Sequence, residues 1–423
     1  MDHVAVVEGP TPKELLAEVL GAGGCVAPIR VTGRVLNEAT GELRAAKLKL
    51  ACKDRRAALC PPCAALYQAD AWILVSAGLC GGKGFDESVA RHPKVFVTLT
   101  APSFGRVHRS VPLRRCQRTV DRCRHGVSQG CSVVHEPEDP LVGTPLCARC
   151  FNYESAVLWN AQVTRLWNRS AQELLRELGV RTEKQRDEVE ASVRLSYLKV
   201  AEFQRRGLVH LHAILRLDGR GGGTPPPPPC FDAAVLADAA TAVARGVTWR
   251  GVGGTRLCWG RQFDVTVVSE DSPGRVASYL AKYSTKTTGD SSELARRFTS
   301  LEAVRRAKLP SHERAFVECA WRMSRRPELK HLRLDRHAHS FGYRGQLLTK
   351  SRGYSTTFGA LRQVRAEFMD QGSGGDPTTS SFHYDGRGYD HARAERLARV
   401  LAEMRAEERR DRRAARLEAE ASR

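Results

Sequence analysis

Between Leu198 and Leu217 the sequence leaves little choice of structure. Two strand-forming runs, Leu198-Lys199-Val200-Ala201-Glu202-Phe203-Gln204 and Leu208-Val209-His210-Leu211-His212-Ala213-Ile214-Leu215-Arg216-Leu217, are separated only by Arg205-Arg206-Gly207. A three-residue loop ending in glycine is a favoured hairpin connection, so the spacing predicts two long antiparallel neighbours. With that loop Gln204 pairs with Leu208, and Glu202 falls opposite His210. Residues two apart in a strand share a face, so Glu202, His210 and His212 project together. One carboxylate and two imidazoles make an open site for a divalent cation, Mg²⁺ or Mn²⁺, with positions left for water and phosphate oxygens. Gln204 shares the parity of Glu202 and is the reserve ligand.

A second constellation lies downstream. Ser278-Tyr279-Leu280-Ala281-Lys282-Tyr283-Ser284-Thr285-Lys286 follows a predicted strand (Phe263 to Val268) and reads as helix, where residues four apart stack on one face. Tyr279 and Tyr283 therefore point the same way, and Lys282 and Lys286 form an adjacent stripe suited to a phosphodiester backbone. A tyrosine oxygen can attack phosphorus and keep the bond energy as a phosphotyrosine. Phenol, with an ordinary pKa of about 10, is a poor nucleophile at neutral pH, so a nearby cation is expected to assist. Taken singly, each motif also fits plain packing, histidines bonded to water on a half-buried strand or tyrosines resting on a sheet.

Length and charge narrow the class. At about 100 to 200 residues per domain, 423 residues allow two or three domains. Lys and Arg number 67 against 47 Asp and Glu, a net charge of +20, which makes nucleic acid the first partner to expect. No run approaches the roughly 18 apolar residues of a membrane span, and the N-terminus lacks an export signal, so a cytoplasmic location without membrane contact is expected. Richness in Arg, Ala and Gly reads as a gene of high G+C content, pointing to an actinobacterial source. Gly78 to Lys83 has the wrong spacing for a Walker A loop, so no nucleotide cofactor is expected.

Thirteen cysteines in a cytosolic chain favour metal over disulfides. Cys60-Pro61-Pro62-Cys63 and Cys147-Ala148-Arg149-Cys150 each have zinc-knuckle spacing, and each needs two further ligands for a closed structural site. Cys25 and Cys52 are available to the first pair. For the second, Cys116, Cys123, His125, Cys131 and His135 compete, and Cys123 and Cys131 are favoured. Cys80, Cys230, Cys258 and Cys319 stand alone.

The whole reads as an α+β protein. Residues 1–90 form a cysteine-bearing N-terminal module. Residues 91–290 form the catalytic domain, which opens on the strand Lys94 to Thr100, carries a zinc-bound insertion at about 114–150, and has a Gly/Pro loop at 219–229. Helical spacing covers 153–180, with Gly179 placed to stop it. Residues 291–380 are basic, and Arg344, Lys350, Arg352 and Tyr354, interleaved with other aromatics, suit a DNA strand by phosphate pairing and base stacking. Residues 381–423 read as a charged tail, helical or disordered.

The strand Phe96-Val97-Thr98-Leu99-Thr100, the His210-Leu211-His212 pair and Tyr279-x-x-Lys282-Tyr283 occur in the order of the three motifs of HUH endonucleases. From about Cys25 to Arg365 the chain resembles a RepSA-type rolling-circle replication initiator of actinobacterial plasmids and integrative conjugative elements. Cys60-Pro61-Pro62-Cys63, Thr98-Leu99-Thr100-Ala101-Pro102-Ser103-Phe104-Gly105, Glu202-Phe203-Gln204-Arg205-Arg206-Gly207 and Thr349-Lys350-Ser351-Arg352 support the match. The resemblance implies an HUH-type central antiparallel sheet with flanking helices. It also implies a metal-dependent nickase that acts on single-stranded and origin DNA, leaves a 5′-phosphotyrosine, and frees a 3′ hydroxyl for host DNA polymerase, with a host helicase recruited. It gives Tyr283 the initiating attack and Tyr279 a second transfer, and it puts the acidic ligand on the strand before the histidine pair, where the hairpin register also places Glu202. Relaxases and transposases of the same class use this chemistry on other DNA. A zinc-stabilised DNA-binding regulator without catalysis is the alternative from another class.

Overall fold

The computed structural model describes residues 10–269, 273–286, 292–370 and 378–421. In chain order its main elements are α1 (Pro12–Gly21), β1 (Ile29–Asn37), β2 (Leu43–Leu50), α2 (Pro61–Cys80), β3 (Lys94–Leu99), α3 (Tyr153–Thr182), α4 (Arg186–Ser192), β4 (Val193–Phe203) and β5 (Val209–Gly219). There follow α5 (Ala233–Gly246), β6 (Thr248–Arg250), β7 (Arg256–Cys258), β8 (Phe263–Val267), α6 (Pro273–Ser284), α7 (Leu301–Arg306), α8 (Ser311–Met323), β9 (Leu348–Lys350), α9 (Phe358–Asp370), β10 (Thr378–Arg387) and α10 (Ala392–Ala421). The fold is mixed α+β with antiparallel sheets.

Two compact units divide the chain: Met1–Asp70 with Phe358–Arg423, and Ala71–Thr357. The second unit is built on a five-stranded sheet of order β8-β3-β5-β4-β9, antiparallel throughout. β5 lies at its centre, which explains why that strand reads as an almost continuous apolar run. Along β5, Leu211, Ala213, Leu215 and Leu217 join Val95, Val97 and Leu99 of β3 in the main core. Leu166, Trp167, Leu174 and Leu178 of α3 and Leu236, Ala239, Ala240 and Val243 of α5 belong to the same core. By the alternation of strands, His210, His212 and Arg216 of β5, Glu202 and Ser196 of β4, and Phe96 and Thr98 of β3 face the other way. The register pairs Glu202 with His210 and Thr98 with His212, and the Gln204 amide donates to the Leu208 carbonyl at 2.9 Å, as the hairpin spacing predicts.

α3 is one helix, capped at its start by the Asn152 side chain, which accepts from the Ser155 amide. Gly179 does not stop it. The helix runs on to Thr182, and Gly179 is buried where a Cβ would lie 2.6 Å from the Lys184 carbonyl oxygen, so a larger residue would not fit.

The first unit carries a three-stranded antiparallel sheet of order β10-β1-β2. Leu15 and Val19 of α1 pack with Tyr389 and with Ala394 and Ala398 of α10. This division differs from the sequence expectation in two ways. The 1–90 module gives up its last residues to the other unit and gains the C-terminal segment. Within 381–423, the region read as a charged tail, β10 supplies a sheet partner for β1 and the early turns of α10 are packed by alanines. Pairing across more than 300 residues leaves no local signal, and alanine scores alike on a packed and a solvated helix. One further correction concerns α2, which is long and apolar enough to cross a membrane by length and composition. Its Ala71, Leu74, Val75 and Leu79 are buried in protein, as in a core helix.

Candidate active site and metal-ligand clusters

The β4–β5 hairpin and α6 bring the sequence-selected residues of the first constellation together. Glu202 Oε2 lies 3.5 Å from His212 Nε2, and the His210 and His212 rings are 4.5 Å apart. Across from them Tyr279 Oη sits 3.5 Å from His212 Nε2, and the Tyr279 and Tyr283 rings are 4.4 Å apart on one face of α6. Tyr283 is 5.3 Å from the His212 ring. Lys286 Nζ donates to Glu202 Oε1 at 2.5 Å and lies 4.1 Å over the Tyr283 ring. Lys282 is exposed. Two neighbours escaped sequence reasoning: Thr98 Oγ1, 3.2 Å from His212 Nδ1, and Phe96, stacked on His212 and edge-on to Tyr279. Both stand on the β3 strand at the parity of the site, which is the signal that finds them.

Burial sets the charges. It pushes the His210 imidazole down to about 4, with His212 adding to the effect, so His210 is neutral at physiological pH. Its Nδ1 is buried with no hydrogen-bond partner. Burial alone would raise the Glu202 carboxyl, but hydrogen bonds from His212 and Lys286 outweigh it and hold the group below its ordinary value. Burial, followed by the neighbouring Tyr283, raises the Tyr279 phenol. The ligand atoms of Glu202, His210 and His212 are not drawn as close together as those of the cysteine clusters, in which all four lie within 4.8 Å of one another.

Among the described residues there are three such clusters. Cys25, Cys52, Cys60 and Cys63 meet as the sequence spacing proposes, with Cys25–Cys60 and Cys52–Cys63 sulfur separations of 3.7 Å. The amides of Cys52 and Asp54 donate to sulfur there, an arrangement that favours thiolates. The second set is Cys123, His125, Cys147 and Cys150. It corrects the favoured pairing: Cys131 is not beside the Cys147–Cys150 pair, and His125 takes that place. His125 Nδ1 lies 3.2 Å from Cys150 and 3.6 Å from Cys147 because the turn after Cys123 folds the imidazole back over the knuckle. Cys131 belongs instead to a third set with His108, Cys116 and His135.

The DNA-contact group is only partly at the surface. Arg344 and Arg352 are exposed. Lys350 is half-buried and donates to the Ser355 carbonyl at 2.7 Å. Tyr354 is a correction: it is fully buried, donates to the Val75 carbonyl and stacks with Arg216, so it cannot receive a base. Phe341 and Tyr343 are buried as well.

The chain belongs to the RepSA family of replication initiators: the family described as "RepSA: Replication initiator protein, pSAM2" matches residues 11–403. A replication initiator protein of Streptomyces ambofaciens is 37% identical over 393 residues, covering 87% of this chain and 82% of that protein. No solved structure matches this chain. The chain is thus similar to an established initiator over nearly all its length, and initiation of replication requires binding DNA, for which its +20 charge is suited.

Proposed function

We propose that this initiator is an HUH-type nickase that opens one strand of a plasmid or integrative-element origin for rolling-circle replication. The observation that carries the reading is the Tyr279/Tyr283 pair held over His212 and Glu202, with Tyr279 Oη 3.5 Å from His212 Nε2. Glu202, His210 and His212 are the residues that would hold Mg²⁺ or Mn²⁺. Their donor chemistry suits such an ion, because His210 is neutral with an unpartnered buried nitrogen and Glu202 is ionised, and binding would draw the three ligand atoms closer together. Bound there, the cation supplies charge that polarises the scissile phosphate.

The chain's own residues then account for the transfer. Tyr283 Oη attacks phosphorus and forms the phosphotyrosine. The bond to the 3′ oxygen breaks, the phenolic proton passes to solvent, and the departing 3′ oxygen takes one up, so the exchange is neutral. Host polymerase would extend the free 3′ end behind a host helicase. Tyr279 serves a second transfer that closes the displaced strand. Lys282 on α6 and Lys286, two residues past the end of that helix and paired with Glu202 rather than on one stripe with Lys282 as the spacing suggests, supply positive charge for the phosphodiester. Arg344 and Arg352, both exposed, contact the flanking strand, with Lys350 bracing the loop that carries Arg352. The Cys25/Cys52/Cys60/Cys63 and Cys123/His125/Cys147/Cys150 sets hold structural zinc.

The test is incubation with Mn²⁺ and labelled single-stranded oligonucleotides tiled across the parent element, followed by denaturing electrophoresis. A metal-dependent protein–DNA adduct is expected with wild type and absent with Tyr283→Phe, while DNA binding persists. Tight binding without any adduct would replace this reading with the non-catalytic regulator. An adduct only on transfer-origin or element-end DNA would replace it with a relaxase or transposase.

A further inference from the structure

We propose that His108, Cys116, Cys131 and His135 hold a zinc ion of their own, and that this ion ties the 136–144 loop to the hairpin turn beside Glu202 and His210. Neither CxxC pair contributes to this set. With Zn–N near 2.0–2.1 Å and Zn–S near 2.3 Å, a tetrahedral site has ligand-to-ligand edges of about 3.3 Å for N to N, 3.6 Å for N to S and 3.8 Å for S to S. The observed separations follow that pattern. His108 Nδ1 to His135 Nε2 is 3.1 Å, Cys131 Sγ to His135 Nε2 is 3.4 Å, and Cys116 Sγ to His108 Nδ1 is 3.7 Å. The Arg109 amide also donates to Cys116 Sγ at 3.3 Å, as amides do to bound thiolates.

The outer contacts are those of a zinc histidine. His135 uses Nε2 toward the cluster and presents Nδ1 to Asp139 Oδ2 at 2.6 Å, the carboxylate–histidine arrangement that orients a ligating imidazole. Asp139 is itself placed by the Leu141 amide, 2.8 Å from its Oδ1. His135 is buried, with one ring nitrogen on the cluster and the other on Asp139.

The same loop grips the hairpin. Arg205 Nη1 donates to the carbonyls of Pro137 and Asp139, each at 2.8 Å. Gly143, at φ +90°, passes so close that a Cβ there would lie 2.6 Å from the Arg205 backbone. His108 exchanges backbone hydrogen bonds with this loop, its amide with the Thr144 carbonyl and its carbonyl with the Gly143 amide, both 2.8 Å. Arg206, the next residue of the turn, donates to the carbonyls of Ala101 and Pro102. The loop is therefore fastened to the metal ligands at both ends and to Arg205 in the middle, and the turn it holds fixes where β4 and β5 present Glu202 and His210. The proposal concerns the metal and the loop, and it holds whether or not tyrosine attacks DNA.

Zinc content and hydrogen exchange of the full chain test it without any DNA. Wild type is expected to carry three zinc ions, and because the three sets supply nine sulfurs and three nitrogens, X-ray absorption should average about three sulfurs and one nitrogen per zinc. Cys131→Ser should lose one equivalent and exchange amides 204–208 at least about tenfold faster. Arg205→Met should keep three zinc ions and speed exchange at the turn alone. His108→Cys keeps four ligand atoms, so it should retain three zinc ions while the mean sulfur count rises to about 3.3. A zinc content that Cys131→Ser leaves unchanged, or an unchanged sulfur count in His108→Cys, would overturn the site, and the last decides even if Cys131→Ser fails to fold. Loss of one zinc with turn exchange unchanged would overturn the coupling.

Discussion

Asp218→Asn tests what holds the β4–β5 register from the end opposite the candidate active site. Asp218 and Arg216 are both fully buried. Arg216 Nε donates to Asp218 Oδ1 at 2.7 Å and Nη2 to Oδ2 at 3.0 Å. His92 Nδ1 lies 2.8 Å from Oδ1, and Ser196 Oγ donates to Oδ2 at 2.5 Å. The rest of the guanidinium is spent on the carbonyls of Gly78, Gly353 and Tyr354. An asparagine keeps the shape, but it removes the charge and turns an acceptor into a donor facing N–H groups. Breaking a buried pair from one side costs about 3–5 kcal/mol. At roughly 2.1 cal/mol/K per residue over 71–357, the unfolding entropy is about 0.6 kcal/mol/K, so the melting temperature should fall by about 5–8 °C.

Acid adds a second signature. Burial by itself would raise the Asp218 carboxyl, but His92 and Arg216 outweigh it and hold the group at about 2. A depressed folded pKa gives stability that is fully present above the unfolded value of about 3.8 and lost as pH falls through 2. The gap between wild type and Asp218→Asn should therefore shrink by about 2 kcal/mol between pH 4 and pH 2. Calorimetry on the full chain at pH 7, with denaturant titrations down that window, reads both. An Asp218→Asn protein melting within about 1 °C of wild type would refute the reasoning. So would a gap that stays constant through the acid range. Arg216→Met with Asp218→Leu removes both charges but strands His92, Ser196 and the carbonyls of Gly78, Gly353 and Tyr354, so it should not recover the loss.

Two further outcomes follow from the same geometry. Burial pushes His312 down to about 4, with its Nδ1 2.9 Å from Tyr153 Oη. The unfolded chain takes up that proton first, so stability should fall by about 2 kcal/mol as pH drops from 7 to 5; His312→Phe should flatten the fall, and urea midpoints at pH 7 and pH 5 measure it. Glu202→Gln keeps the side chain's size but removes the charge that Lys286 and His212 hold in place. Its Mn²⁺-dependent adduct rate should drop by more than the roughly 10- to 100-fold typical of outer-shell partners, with DNA affinity kept, and a drop below tenfold would remove Glu202 from the ligand set.

What was legible in the sequence was whatever local spacing decides. The hairpin could be registered residue by residue because its loop is short and strand parity is strict, so Glu202 lands opposite His210 in the structure as on paper. Helical spacing likewise puts Tyr279 and Tyr283 on one face. Tyr354 was not legible, because a tyrosine amid arginines reads the same whether it stacks on a base or on a buried guanidinium. What decides is Gly78, where a Cβ would collide with the Tyr354 ring, more than 270 residues away in sequence.

The cysteines fall between these cases. A CxxC spacing places two thiolates on one ion, but it says nothing about which loop closes the site. Five residues, Cys116, Cys123, His125, Cys131 and His135, compete for the two places beside Cys147 and Cys150. His125 and Cys123 fill them, and the remainder is Cys116, Cys131 and His135. Three ligands left over in one short, non-periodic segment are one short of a tetrahedral set, so the surplus itself implies a second ion and directs the search to the nearest unused histidine. That residue is His108, only eight positions before Cys116, where strand-like backbone pairing with Thr144 turns its imidazole toward the others.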